Sequence, residues 1–286
     1  MRSLNDLDNE RGQTDVILGL TRAFEGIASM RIAQVKDRTL RSSKFFAELW
    51  QIYSQIRVDE YFHFGRDAEQ KDVIQKELII LITSEGSLSG DIDDHLIRKF
   101  MRYYKPEKND VITVGYHGSQ LLAQHDVAMI RSFRLPGNDD KINVAPLQEV
   151  IQKYSSTTVF YASYVSIMTQ DIKTIQMENA VAAKGQNVDK GQDIISEDTY
   201  IFEPSTFEVV SYLERTMVKT MLGDLILESK LAQYASRFKA MSLARQKAQD
   251  TLSDLTWLYN RSKRHIRDER LKNITNSVRS VDKQSL

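Results

Sequence analysis

The chain has 286 residues, with 39 basic and 39 acidic side chains, five histidines and no cysteine. Its length allows one or two domains with a sizeable core. Neutrality removes the global field that draws in nucleic acid or an anionic membrane, and the missing cysteines exclude disulfide and thiolate chemistry.

The start of the chain, MRSLNDLDNERGQTD, is polar and acidic, without the apolar core of a secretory signal. A first helix is expected from Thr14 or Asp15, either of which can cap it, to about Arg57. Ile17, Leu20, Phe24 and Ile27 recur at 3–4 spacing as an apolar seam, followed by Ile32, Val35, Phe45, Leu49, Ile52 and Ile56. A loop through Phe64–Arg66 leads to a region of different texture. Glu77–Thr83 is a continuous β-branched run and reads as a strand buried on both faces. It breaks into Ser84–Gly90 and then a helix over Asp91–Tyr104. A strand at Val111–Val114 is ended by Gly115. A helix over Ala145–Tyr154, a buried strand over Thr158–Ile167 and an alternating, antiparallel edge over Asp171–Met177 follow. Ala180–Asp193 reads as a polar turn, and Tyr200–Phe202 as a last strand. This order is that of a small α/β sheet domain, Rossmann-like in class.

All four prolines, Pro106, Pro136, Pro146 and Pro204, lie mid-chain, and from Ser205 to Leu286 there is one glycine, Gly223. Such a stretch permits one very long helix. Leu231, Phe238, Leu252, Tyr259 and Ile266 form one heptad series, interrupted at Arg245, with Tyr234, Met241, Ala248 and Leu255 at the complementary offset. A seam of period 3.5 is what one helix needs to wind against another. The organisation is thus an N-terminal coiled-coil helix over 1–60, a central α/β domain over 61–203 and a C-terminal coiled-coil helix over 204–286. From Arg245 onward ten basic residues face five acidic ones, a local excess that suits either a solvated helix face or a basic tip meeting an acidic partner. No apolar run approaches the ~20 residues of a membrane helix, so a cytoplasmic protein is expected.

Chemistry is sparse. The strand–loop–helix ELIILITSEGSLSGDID stands where α/β proteins bind phosphate, but its glycines are Gly86 and Gly90 only, and Glu85, Asp91, Asp93 and Asp94 repel an anion. The histidines show no ligand spacing. Asp93-Asp94-His95 reads as a capped helix start, Asp139-Asp140 as a solvated loop, and Ser205 as a helix cap. No set of residues supplies a nucleophile, a base and an orienting group. No catalytic, cofactor or metal site is expected.

Three stretches resemble the gamma subunit of the F-type ATP synthase. Thr21–Ile32 (TRAFEGIASMRI) stands where that family shows TKAMKMVAAAKL. Thr83–Asp93 (TSEGSLSGDID) is similar to its TSDRGLCGGLN. Ser236–Met241 (SRFKAM) with Leu255–Asn260-Arg261 (LTWLYNR) resembles its C-terminal signature, and Tyr200–Pro204 its Y-x-x-EP. The chain departs from the pattern at Glu25, where a basic residue is usual, at Arg245 and Lys247, where Thr and Asn are usual, and past Ile274, where small apolar residues give way to a polar, charged tip.

The resemblance implies an α/β fold in which the terminal helices pair as a long antiparallel coiled coil, a shaft, with the central domain as its foot. It implies a rotor that couples an ion-driven membrane ring to ATP synthesis or hydrolysis. The implied partners are the alpha and beta subunits of the catalytic ring, the epsilon subunit and the c-ring, with no cofactor and no nucleic acid. The implied location is peripheral, on the cytoplasmic side of the inner (plasma) membrane. Arg245, Lys247, Arg261 and Arg264 are the expected ring contacts, and Tyr200 and Glu203 the expected c-ring and epsilon contacts. Two alternatives stay open: a coiled-coil adaptor that self-associates and docks cargo, and a nucleotide-dependent enzyme using the Gly86–Gly90 loop.

Overall fold

The computed structural model describes residues 3–56, 73–136, 142–177, 179, 201–203 and 205–284. In chain order these form α1 (Leu4–Gln55), β1 (Ile74–Ile82), α2 (Ile92–Tyr103), β2 (Asn109–Val114), α3 (Tyr116–Gln124), β3 (Arg131–Phe133), α4 (Ala145–Ile151), β4 (Tyr154–Tyr164), β5 (Gln170–Gln176) and α5 (Thr206–Gln284). The chain divides into two compact units: Met1–Ile27 with Ala240–Leu286, and Ala28–Lys239.

The larger unit holds a five-stranded sheet of order β3-β2-β1-β4-β5. The first four strands are parallel, and β5 returns antiparallel along β4, as its alternation implies. Leu78 to Ile82 of β1 are all buried because each face has its own cover. Ile79 and Leu81 meet Leu96, Ile97 and Phe100 of α2 and Leu122 of α3. Leu78, Ile80 and Ile82 meet Phe46 and Tyr53 of α1 and Met217, Leu222 and Ile226 of α5. Tyr53 Oη also donates to the buried Glu214 carboxylate at 3.3 Å. At ~25 cal/mol per Å² of apolar area, these two layers supply the main driving force for the unit.

Several boundaries differ from the sequence reading for local reasons. α1 starts ten residues earlier than expected. Ser3 Oγ accepts from Asp6 N at 3.1 Å and Asp6 returns the contact to Ser3 N, a reciprocal cap. Thr14 lies inside the helix and bonds the Glu10 carbonyl. Ser205 does cap α5, accepting from Glu208 N at 3.2 Å. β4 ends at Tyr164 because Val165 and Ser166 turn back on the Thr169 carbonyl. Ile201 and Phe202 join no strand; Ile201 is almost fully exposed. Tyr200, the Phe64–Arg66 loop, Asp139-Asp140 and the Ala180–Asp193 turn lie outside the described residues.

α3 and β3 escaped the sequence reading. Gly115 and Gly118 sit where a helix begins and look like breakers, yet both are required by a close approach. Gly115 has φ +113°, and a Cβ there would lie 2.2 Å from the Thr83 carbonyl oxygen. At Gly118 a Cβ would lie 2.4 Å from Thr83 Oγ1, which instead accepts from Gly118 N at 3.0 Å. Gly118→Ala is therefore expected to lower unfolding stability by about 1–3 kcal/mol, since overpacking a buried contact has that cost. Denaturant titration of the variant checks this, and an unchanged midpoint would contradict the packing.

Candidate partner interfaces

In the smaller unit the two helices are tied by side chains whose numbers run in opposite senses. Arg11 lies over the Tyr259 ring at 4.6 Å, Arg22 donates to Gln249 at 3.2 Å, and Arg245 Nε meets Glu25 Oε2 at 2.7 Å. The pairing is antiparallel. On α5 the seam follows the expected heptads: Met241, Ala248 and Leu255 are buried, with Leu252, Tyr259 and Ile266 half-buried. Arg245 fills the gap in the first series, and Glu25 is its partner, so the two departures from the family pattern are one interaction.

On α1 the seam is displaced by one residue from the apolar series read in the sequence. Leu7, Leu18 and Thr21 are buried and Glu25 half-buried, whereas Ile17, Leu20, Phe24 and Ile27 are exposed. From Leu18 onward both series have 3–4 spacing, and the bulkier one faces outward. α1 thus presents an uncovered apolar stripe. α5 contributes its own outward residues, Leu243, Trp257 and Leu271, each more than half exposed. Arg261 lies over Trp257 at 5.3 Å. Arg264 stands exposed with Nε toward its own helix carbonyl at Asn260, and Lys247 is also exposed. The exposed side chains of the two helices thus include aromatic, aliphatic and arginine groups, types enriched at protein interfaces.

In the larger unit the loop between β1 and α2, Thr83–Asp91, stands where a phosphate site would lie. The structure fills that crevice with α5. Ser229 Oγ donates to the Ile82 carbonyl, Ser236 Oγ to the Ser89 carbonyl at 2.6 Å, and Arg237 to Ser87 O and Ser89 Oγ. The buried Asp93 carboxylate takes the Ser84 N–H, and Glu85 takes the Leu135 N–H. Carboxylates occupy the donors that a phosphate would need. Leu88, at the loop tip, is exposed and has φ +71°, unusual for a bulky residue. Two apolar cavities of ≈ 270 and ≈ 440 Å³ lie in this unit, lined in part by Val144 with Leu147 and with Phe45. Glu203 is exposed. Among the described residues no acidic or histidine cluster could hold a metal ion, and no helix is long and apolar enough to cross a membrane.

One unit is an antiparallel helix pair with exposed apolar and basic side chains, and the other is a mostly parallel α/β sheet whose β1–α2 loop is held by the chain's own helix; together they are the features of a protein-binding chain. Residues 3–278 match the family model of ATP synthase. The chain belongs to that family, as a gamma subunit. The ATP synthase gamma chain of Cytophaga hutchinsonii is 25% identical over 281 residues, covering 92% of this chain and 93% of the relative. That of Prosthecochloris aestuarii is 21% identical over 261 residues, covering 85% and 86%. The fold is similar to that of a chain in the rotor of the Euglena gracilis mitochondrial ATP synthase (TM-score 0.64, 12% identity, 92% of this chain and 98% of that one). It is also similar to a chain in the central stalk and c-ring structure of Tetrahymena thermophila (TM-score 0.58, 17% identity, 79% and 99%).

The Glu25–Arg245 pair is partly solvated, so its coupling is expected to be modest, about 1 kcal/mol in a double-mutant cycle. Glu25→Ala and Arg245→Ala should each destabilise the chain, and the reversed pair Glu25→Arg/Arg245→Glu should recover most of the loss. Thermal unfolding of the four variants measures this; a coupling of zero would remove the pair from the account of the seam.

Proposed function

We propose that this chain is the central rotor shaft of an F-type ATP synthase, seated in a ring of alpha and beta subunits and carried by an ion-driven c-ring. The single observation that carries this reading is the outward stripe Ile17–Leu20–Phe24–Ile27 on a coil whose own seam is already satisfied. A helix pair that has its own seam, yet exposes a second apolar face, suits a surface that meets another protein.

The mechanism follows from symmetry. One asymmetric shaft in a threefold ring turns a different face to each catalytic subunit, so the three nucleotide sites are held in different states. Rotation exchanges those states, and the coupling is the difference in affinity of the shaft for each conformation. The chain has no catalytic centre of its own and needs no cofactor; it acts by selecting conformations in its partners. Arg261, Arg264 and Lys247 are the ring contacts, facing acidic residues of the beta subunit. Arg245, joined to Glu25, steadies the coil beside Lys247, about 24 Å along the helix from Arg261, and presents its half-exposed side to the ring. The 61–203 region is the foot, with Tyr200 and Glu203 assigned as its contacts to the c-ring and epsilon subunit. The site of action is the inner face of the plasma membrane, peripheral through the complex.

Co-expression with the alpha and beta subunits of the same source tests this. The expected product is one copy of the chain per three of each partner, with ATPase activity that depends on it. A chain that elutes alone or as a homodimer would favour the adaptor. Within the assembled complex, reversing charge at Arg261 and Arg264 should lower ATPase activity or assembly yield several-fold, and unchanged activity would release those residues from the role.

A further inference from the structure

The loop that carries Leu88 is fixed at both ends, and one end depends on an imidazole. Asp93, the second residue of α2, is 97% buried and its carboxylate gathers three groups: Ser84 N at 3.3 Å, Ser84 Oγ, and His117 Nδ1 at 2.8 Å. The His117 backbone N–H also donates to the Ser84 carbonyl at 3.0 Å. His117 therefore grips the first loop residue directly and again through Asp93. The other end is pinned to α5 by Ser236 and Arg237 at Ser87 and Ser89. Between these anchors Leu88 holds a left-handed conformation and stays exposed, a combination that persists only where the surroundings impose it.

We propose that His117 and Asp93 form a proton-operated latch: the charged imidazole holds the Ser84–Asp91 loop in the shape that presents Leu88, and the neutral imidazole releases part of that hold. A hydrogen bond between an imidazolium and a buried carboxylate is charge-assisted on both sides, and loss of the proton leaves the carboxylate with a neutral donor only. The imidazole is more than a quarter exposed, so water can exchange its proton. The hydrogen bond to Asp93 raises the His117 pKa above its ordinary 6.5; burial opposes this, and the charges of Asp93 and Asp94 add to it. Asp93 and Asp94, both on α2, are the charges that act on His117. Around the loop, Glu85 is engaged by Leu135 N, Arg134 lies over the Tyr116 ring, and Arg237 is held at Ser87 and Ser89. Because the folded value is raised, the latch contributes fully below the unfolded pKa, near 6.5, and is lost as pH rises through the folded value.

The latch stands on the loop geometry alone, whereas its use, setting how firmly Leu88 is offered to a partner in the rotary complex, rests on the shaft reading. Hydrogen-exchange protection factors of the full-length chain, compared for Ser84–Asp91 and for β4 across the titration of His117, test the latch without any partner. Protection of the loop is expected to fall several-fold on raising pH while β4 holds, and His117→Asn, which keeps a donor but does not titrate, should abolish the change. An NMR titration of the unmodified chain gives a second reading: the Ser84 and Ser89 amide shifts should follow the His117 midpoint. Loop protection that ignores pH, an equal change in His117→Asn, or loop amides that do not follow His117 would each overturn the proposal. Failure of the chain to assemble with ring subunits would leave the latch intact and remove only its use.

Discussion

A strand apolar on both faces has to be covered twice, and most of the larger unit follows from that requirement at β1. The odd-numbered side chains take α2 and α3. The even-numbered ones take the end of α1 and the first turns of α5, which brings residues some 160 positions apart into one layer, as Tyr53 and Glu214 show. With that layer in place, α5 lies along the carboxyl end of β1, where Ser229 meets the Ile82 carbonyl and Ser236 and Arg237 find the loop that follows it. The place where a sheet of this class ordinarily receives a ligand is thereby given to the chain's own helix. Function moves from the crevice to the surface.

The same two helices also make the smaller unit, where the balance of forces differs. Its seam is thin: Thr21, Ala248, a Glu–Arg pair and a few leucines. Small and polar side chains at seam positions give up apolar burial, and ion pairs of this exposure return little. The larger apolar side chains of α1 are kept outside. A coil selected only for its own stability would have the reverse arrangement, so the distribution of bulk suits a surface that is to be covered by something else.

The strands were legible because burial on two faces writes itself as an unbroken apolar run and burial on one as alternation; β1, β4 and β5 follow those rules. The heptads of α5 were legible because 82 residues without proline leave few other solutions. α3 was hidden by Gly115 and Gly118, which look like breakers yet are demanded by the approach of Thr83, and β3 by its length of three residues. The start of α1 was hidden by a polar opening, although Ser3-x-x-Asp6 has the spacing of a capping box and was the signal that could have found it. The one-residue displacement of the α1 seam has a general cause. The one clearly apolar series, Ile17 to Ile27, faces outward, and the seam beside it is mixed, with Thr21 and Glu25 among its members, so apolar periodicity alone points to the wrong face. Glu25 and Arg245 were each conspicuous as departures, and complementary charge was the unused signal that could have joined them and set the register.

The most direct test of a shaft with its bulk turned outward exploits the absence of cysteine. A single cysteine at Leu20 or Phe24, in chain assembled with catalytic subunits that carry one introduced cysteine on the surface facing the shaft, should form a disulfide to the ring under a mild oxidant, stop ATP hydrolysis, and release it again on reduction. Cross-links between two copies of this chain, or none to the ring in an active complex, would contradict the account.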